Sequence, residues 1–231
     1  MLAWLELHIE QGRYWLKNRC RLPWSTDSGN VRFNTIHCFG DAQHSGTVPR
    51  DLRHDAVCGV SDLIMRLDAR WQSRLSAGDD LVVTSGIFQT DVQEHAVTRI
   101  SGHVSFSLEA RSLNSYTLTA FAEEIMATAH QVSEARGVTF RFDSPVLTEP
   151  ATLDHSVFAA LKHSCEALAV NHLELASGAG HDSAIFARQG IPSGMVFVRN
   201  QNGSHNPHEA MEMDDFLLGV GVIQQTLEEW K

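Results

Sequence analysis

Hydrophobic and polar residues alternate most regularly in the middle of the chain, from Val104 to Arg111. A period of two predicts a strand with one buried face, and it places Arg111 on the polar face of that strand. Four further segments are rich in strand-forming residues. They span residues 31–39, 81–89, 138–142 and 195–198.

Apolar residues also recur at spacings of three and four, which predicts helices. Asn114 or Ser115, Asp154 and Asp214 are the predicted helix starts, and Gly137 is the predicted end of the second long helix. The predicted helices cover about 51–71, 115–136, 154–168, 181–189 and 214–227, and a short one is expected around 11–16 after a strand end or loop that carries His8.

Two clusters of turn-forming residues, at 22–30 and 143–150, divide this pattern. Between them the elements run β-α-β-β-α-β, which is typical of an antiparallel sheet covered by two helices. The sequence therefore predicts an α/β protein in which residues 27–145 form an inserted domain. Residues 1–26 and 146–231 are predicted to be parts of a second α/β domain.

Composition narrows the class of protein. The formal net charge of -10 argues against a nucleic-acid partner, because no basic surface is available to neutralise phosphates. No apolar run approaches the ~18 residues that span a bilayer, and the start has no basic segment of the kind found in signal peptides. The four cysteines form no Cys-x-x-Cys pair, so we expect free buried thiols and a cytoplasmic protein.

Two polar, histidine-bearing segments lie at opposite ends of the chain, at residues 7–12 and 203–209. Imidazole is a common ligand for zinc, and loops from distant parts of a chain often build a metal site together. His8 and His205 are the candidate ligands. Two alternatives stay open: His205 and His208 could bind a metal locally with Glu209, or the second segment could be a solvated polar loop.

Four ordered motifs together carry a resemblance. They are Leu-His-Ile-Glu-Gln-Gly at 7–12, Ala-Gln-His-Ser-Gly-Thr-Val-Pro at 42–49, Ser-Gly-Ala-Gly-His-Asp at 177–182 and Gly-Ser-His-Asn-Pro at 203–207. The chain resembles the dinuclear-zinc amidohydrolases of the aminoacylase and carboxypeptidase superfamily. The similarity is to the branch that contains N-carbamoyl-L-amino-acid hydrolases, allantoate amidohydrolases and β-ureidopropionase. It implies a zinc-peptidase-like catalytic domain with an inserted lid and dimerisation domain.

The resemblance also implies roles for individual residues. His8 and His205 would each bind one of two divalent ions, zinc first, with manganese, cobalt or nickel as alternatives. His44, in the lid of one subunit of a homodimer, would stabilise the developing oxyanion in the other subunit. Gln11 would line the substrate site, and Arg111 would clamp a substrate carboxylate. A surface ion pair with Glu109 is the alternative for Arg111.

His181 and Thr98 would also contact the substrate by the same resemblance, although Asp182, beside His181, could equally be a helix cap. At Thr98 the family commonly has Asn, so this chain keeps a hydroxyl there and lacks the amide. The family's His-x-Asp ligand pair and its Glu-Glu pair are expected upstream of His8, and the chain does not contain them. The Glu-Glu pairs at 123–124 and 228–229 lie in predicted helices and are expected to be solvated.

These patterns predict hydrolysis of a linear amide or ureido C–N bond in a small carboxylate substrate, by a truncated chain that lacks part of the machinery. Two-metal hydrolysis needs a bridging carboxylate and a base, so the chain alone is expected to be inactive. The alternatives are a non-catalytic dimerisation or binding module and a related dipeptidase or aminoacylase.

Overall fold

The computed structural model describes residues 3–11, 20–23 and 25–230, without the side chains of 20–27 and 175. The chain divides into two compact units, Met1–Ser28 with Pro150–Lys231, and Gly29–Glu149. The division falls at 28/29 and 149/150, where the sequence predicts 26/27 and 145/146. The short helix predicted around 11–16 lies outside the described residues, apart from Gln11.

With strands and helices numbered in chain order, the elements of the first unit are β1 (Trp4–Ile9), β2 (Cys20–Pro23), β3 (Ser25–Asp27), β12 (Ala151–Thr152), α3 (His155–Ala167), β13 (His172–Leu175), α4 (Asp182–Arg188), β14 (Ser193–Val198) and α5 (Met213–Glu229). The unit is built on a four-stranded sheet of mixed direction, in the order β1-β14-β2-β13. Strand β1 runs parallel to β14, β14 runs antiparallel to β2, and β2 runs parallel to β13. Strands β3 and β12 form a separate short antiparallel pair.

The elements of the second unit are β4 (Gly29–Phe39), β5 (Gln43–His44), α1 (Ala56–Ser76), β6 (Val82–Thr84), β7 (Phe88–Thr90), β8 (Arg99–Ile100), β9 (His103–Ser112), α2 (Ser115–Arg136), β10 (Thr139–Phe142) and β11 (Val146–Thr148). The unit has an antiparallel sheet in the order β10-β4-β9-β6, to which β7 and β11 add further pairings. The two long helices pack on this sheet, and β5 pairs with β8 separately. The predicted β-α-β-β-α-β order is confirmed, with short strands added.

The strand predicted over 81–89 is wrong as a single element, since it is split into β6 and β7. Between the two short strands, the backbone N–H groups of Gly86 and Ile87 both donate to the Ser107 hydroxyl, at 3.2 and 3.0 Å. The chain leaves the regular ladder there because a side chain on the neighbouring strand satisfies its amides.

Among the five α-helices of the described residues, three starts follow the capping rules. The carboxylate or amide of Asp55, Asn114 and Asp154 accepts backbone N–H groups at the starts of α1, α2 and α3. Helix α1 therefore begins at Ala56, not near residue 51 as predicted. Asp214 lies inside the first turn of α5 and is not its cap.

Within the described residues, no helix is both long and apolar enough to cross a bilayer.

The thiols differ in exposure. Cys38 and Cys165 are buried, and burial raises the pKa of each to about 12, because a thiolate is poorly solvated there. Cys58 is exposed near the start of α1, so the expectation of uniformly buried thiols is wrong at that position. Cys20 lies outside the described side chains.

Helix α5 approaches the sheet of the first unit closely at Gly219. A Cβ atom at this position would lie 2.5 Å from Val198 Cγ1 and 2.6 Å from Leu7 Cδ1. Val198 is buried and Leu7 is partly buried in the core of this unit, so neither side chain can move away without disturbing the packing. The absence of a side chain at Gly219 lets α5 lie directly on β1 and β14.

We expect Gly219→Ala to lower the free energy of unfolding by about 1–3 kcal/mol, the usual cost of overpacking a core. The matched control is Gly221→Ala on the same helix, where an added Cβ atom would have no neighbour within 4 Å. Alanine has the higher helix propensity, so the control is expected to gain about 0.5–1 kcal/mol. Urea denaturation followed by circular dichroism measures both. Equal effects of the two substitutions would contradict the close approach.

Candidate active site

One face of β1 carries the first candidate ligand. Leu5, Leu7 and Ile9 pack against the core of the first unit. Because side chains alternate along a strand, Glu6 and His8 face the opposite side. The sequence signal for this strand is the alternation from Trp4 to Ile9, but residues 4–19 as a whole show no single clean period.

Helix α4 packs against that polar face of β1. Glu6 Oε2 accepts the backbone N–H of Ser183 at 2.8 Å and its hydroxyl at 2.6 Å, so a strand residue caps the start of α4. The Trp4 ring stacks on Phe186 of the same helix, with centroids 3.9 Å apart. Sequence reasoning missed Glu6, because its partner lies 177 residues further along the chain.

His8 is held in one tautomer. Its Nδ1 atom lies 2.9 Å from the Ile9 carbonyl oxygen. A carbonyl oxygen only accepts hydrogen bonds, so Nδ1 of the neutral ring carries the proton and Nε2 keeps the lone pair. That arrangement is typical of a histidine whose other nitrogen binds a metal.

His181 lies next to His8, and the two rings meet edge to face with centroids 4.9 Å apart. Phe197, on the strand paired with β1, lies 5.1 Å from His181 and 6.0 Å from His8. His181 occupies the N-cap position of α4, and Asp182 is the first helical residue, so Asp182 is not the cap. The structure thus brings together the predicted metal ligand of β1 and one predicted substrate residue.

His205 lies on the loop that follows β14. Because β1 and β14 are parallel neighbours, their carboxyl ends lie at the same end of the sheet. Gln11 follows the carboxyl end of β1, and His205 follows that of β14. Ligand sites in α/β sheets commonly lie outside the carboxyl ends of the strands. The exposed side chain of His205 agrees with the prediction of a polar loop.

Internal hydrogen bonds give the loop a defined shape. The bridge between Gln201 and Ala210 closes it. Within it, the His205 backbone N–H donates to Glu209 Oε2 at 2.9 Å, and His205 has a φ of 61°. A positive φ is uncommon for a residue with a side chain, and such conformations persist only where surrounding contacts hold them. The Glu209 carboxylate is one of those contacts.

Two neighbours of this loop were not predicted. Asp215 is buried in the first turn of α5 and binds the Arg199 guanidinium through two hydrogen bonds, of 2.9 and 2.7 Å. Asn200 is also buried, and its side-chain amide donates to the Gly203 carbonyl at 3.2 Å. The available signal was that Arg199 and Asn200 directly follow the apolar strand β14, whereas Asp215 lies 16 residues beyond Arg199. Together they fix the start of the His205 loop.

A complete metal site does not fit the described residues. In the described ranges, no three His, Cys, Asp or Glu side chains are grouped closely enough to hold an ion. His8 and His205 therefore do not bind a metal through a closed set of ligands from this part of the chain, and we assign no reaction step to one. Glu124 and Glu228 lie in helices, and Glu124 binds Arg74 at 2.6 Å.

In the second unit, β5 and β8 bring His44 and Thr98 together. His44 pairs with Arg99 across these strands, and the Ser45 backbone N–H donates to the Thr98 carbonyl at 2.9 Å. The Gly46 backbone N–H donates to His44 Nδ1 at 3.1 Å. Because Nδ1 accepts, the neutral ring carries its proton on Nε2 and is a hydrogen-bond donor there.

Arg111 lies on the face of β9 that the helices do not cover, as predicted, and forms the ion pair with Glu109 that was the alternative to a substrate clamp. Its Nε and Nη2 atoms lie 3.0 and 3.1 Å from the two carboxylate oxygens. A guanidinium binds a planar carboxylate in this two-pronged manner. The geometry shows what Arg111 can hold, and Glu109 occupies that position here.

The comparisons with known proteins define the class. A profile of the peptidase family M20/M25/M40 matches residues 2–229. The chain is 30% identical over 97% of its length to an N-carbamoyl-L-amino-acid amidohydrolase from a Pseudomonas species, and 29% identical over 96% to an allantoate amidohydrolase from Escherichia coli. It covers 53% of each relative.

A hydantoinase/carbamoylase-family amidase from Burkholderia multivorans has the same fold. The TM-score is 0.88 at 24% identity, over 98% of this chain and 54% of that protein. The chain belongs to the peptidase family M20/M25/M40. It spans about half the length of the relatives that it matches.

We expect Glu209→Ala to loosen the loop around His205, because the backbone N–H loses its charged acceptor. A lost hydrogen bond of this kind corresponds to about a tenfold faster amide exchange at His205. Glu212→Ala is the matched control, since the Glu212 carboxylate accepts from the Gln201 side chain at 2.7 Å without contacting the His205 amide. Hydrogen exchange followed by NMR measures both, and unchanged exchange at His205 in Glu209→Ala would show that the contact does not hold the loop.

Proposed function

We propose that this chain is part of a metal-dependent amidohydrolase that cleaves a linear C–N bond in N-carbamoyl-L-amino acids or allantoate-like substrates. The observation that carries the proposal concerns the two candidate ligands. His8 lies near the carboxyl end of β1, and His205 lies on the loop after the carboxyl end of β14, the parallel neighbour of β1. The names of the relatives support the substrate class.

The metal part of the proposal assigns His8 and His205 to two different ions, with zinc favoured over manganese, cobalt or nickel. Such ions supply a Lewis acid and an activated water in hydrolases of this kind. The remaining ligands and the general base would come from outside the described residues. The lone pair on His8 Nε2 supports this assignment.

The second unit would provide the groups that recognise the substrate. A donor on His44 Nε2 suits the negative charge that develops on a carbonyl oxygen during hydrolysis. Arg111 would exchange Glu109 for the substrate carboxylate, with Gln11, Thr98 and His181 as further substrate contacts. His44 would serve the active site of a second subunit, in a cytoplasmic homodimer that assembles through this unit.

A second candidate function is a dimerisation or binding module without catalysis. It is favoured by the lack of a three-ligand group in the described ranges. A dipeptidase or aminoacylase activity is a third candidate within the same family, and the names of the relatives favour the ureido substrates over it.

Ammonia release tests the proposal, because hydrolysis of a ureido group liberates ammonia. The chain alone is expected to bind fewer than two zinc ions and to show no turnover above a metal-only blank. When the chain is co-expressed with the part of the Pseudomonas relative that it does not match, the assembly is expected to hydrolyse N-carbamoyl-L-amino acids.

In that assembly, Arg111→Lys should lower kcat/KM about 10- to 100-fold for carboxylate substrates, and much less for neutral amides.

Arg66→Lys is the matched control, since Arg66 forms an exposed ion pair with Asp62 at 2.8 Å on α1. Equal losses on charged and neutral substrates would remove Arg111 from the clamp role. Preferred turnover of dipeptides would contradict the ureido substrate class. Two bound metals in the chain alone, with turnover abolished by His8→Ala, would contradict the need for a further segment.

A further inference from the structure

A second guanidinium lies beside the ion pair of Arg111 with Glu109 in the second unit. Arg32, on β4, is the register partner of Glu109 on β9, and the register is unbroken from Gly29 to Phe33. Residues directly opposite each other in an antiparallel pair have their side chains on the same face, with Cβ atoms about 4.5–5.5 Å apart. The long side chains of arginine and glutamate span that distance, so Arg32 lies within reach of the Glu109 carboxylate.

Arg32 does not use this position in the structure. Among the described residues its side chain forms no ion pair or hydrogen bond, and it is exposed. Glu109 instead binds Arg111 through both carboxylate oxygens, at 3.0 and 3.1 Å. One carboxylate therefore has two guanidinium neighbours, of which it occupies the one on its own strand.

This arrangement matters when another carboxylate takes the place of Glu109 on Arg111. The side chain of Glu109 is only 19% exposed, so its carboxylate would be left partly buried without its cation. It would also lie close to the newly bound carboxylate, and two like charges at that distance repel each other. Both costs weaken the binding of an anionic ligand. A cation opposite Glu109 would remove both of them.

We propose that Arg32 is a positioning residue, which receives the Glu109 carboxylate when a ligand carboxylate replaces it on Arg111. The inference rests on the proposed function of Arg111 as the substrate clamp. In the exchange, one ion pair becomes two and no covalent bond changes. Arg32 thus acts on the ligand through Glu109 and does not contact it.

The exchange also explains how the clamp would select its ligand. A carboxylate offers Arg111 the same planar, two-pronged acceptor as Glu109, and the released Glu109 gains Arg32. A neutral amide of the same shape has no charge with which to displace Glu109. The pair of Glu109 and Arg32 therefore restricts the clamp to carboxylates.

Ligand binding to the full chain tests the exchange without metal, turnover or a further protein segment. The chain is produced with isotope-labelled arginine, and the Nε–H resonances of Arg32 and Arg111 are followed by NMR during titration. The probes are N-carbamoyl-L-alanine, its neutral amide, and propionate, which has the carboxylate without the ureido group. We expect both carboxylates to shift the Arg32 resonance downfield with the same midpoint as that of Arg111, and the neutral amide to shift neither.

Substitutions then separate a positioning role from direct contact. Arg32→Gln should weaken carboxylate binding about two- to fivefold, the range of an exposed ion pair, and Arg32→Lys should restore most of that loss. Glu109→Gln should strengthen carboxylate binding about three- to tenfold, because it removes the internal competitor. In the Glu109→Gln background, Arg32→Gln should have no further effect.

Arg141→Gln is the matched control. Arg141 is exposed on β10 of the same sheet, and its guanidinium lies 5.4 Å from the centre of the Phe39 ring. The substitution removes the same charge as Arg32→Gln at a position that is not opposite Glu109, so carboxylate binding should not change. Circular dichroism checks that each variant is folded.

Three results would overturn the proposal. The Arg32 resonance could stay unmoved while Arg111 is saturated, or Arg141→Gln could cost as much as Arg32→Gln. An equal loss from Arg32→Gln with and without Glu109 would make Arg32 a direct ligand contact. Failure of the proposed hydrolysis alone looks different, because both arginines would still respond to propionate while no ammonia is released.

Discussion

The parallel pairing of β1 with β14 is the interaction on which the candidate site depends. Six consecutive residue pairs, from Trp4 opposite Ser193 to Ile9 opposite Val198, fix the register. Because side chains alternate, this register turns His8 toward α4 and Leu7 toward α5. A slip of one residue would exchange the two faces and bury the imidazole against the apolar core. The strand pair thus sets both the chemistry of the site and the packing of the unit.

Much of the fold could be predicted from local patterns. The alternation from Val104 to Arg111 and the caps at Asn114 and Asp154 are determined by nearby residues, so they appear in the sequence and recur in the structure. The failures have non-local causes. The 81–89 segment is divided by the hydroxyl of Ser107, a partner about twenty residues away. Nothing local to Glu6 indicates that it caps a helix far along the chain.

The candidate site shows the same division. The sequence motifs contain the candidate residues, and the structure adds how they are held: the tautomer of His8, the left-handed backbone at His205 and the donor on His44. It also shows Glu109 in the position where a substrate carboxylate is proposed to bind Arg111.

The most direct test of this account is the register of β1 against β14 in solution. Nuclear Overhauser effects between backbone protons of the two strands report which residues are opposite each other. The account predicts a parallel pattern with His8 opposite Phe197, and a slowly exchanging Glu10 amide that donates to the Val198 carbonyl. An antiparallel pattern, or a parallel one displaced by one residue, would turn His8 away from His181 and contradict the proposed site.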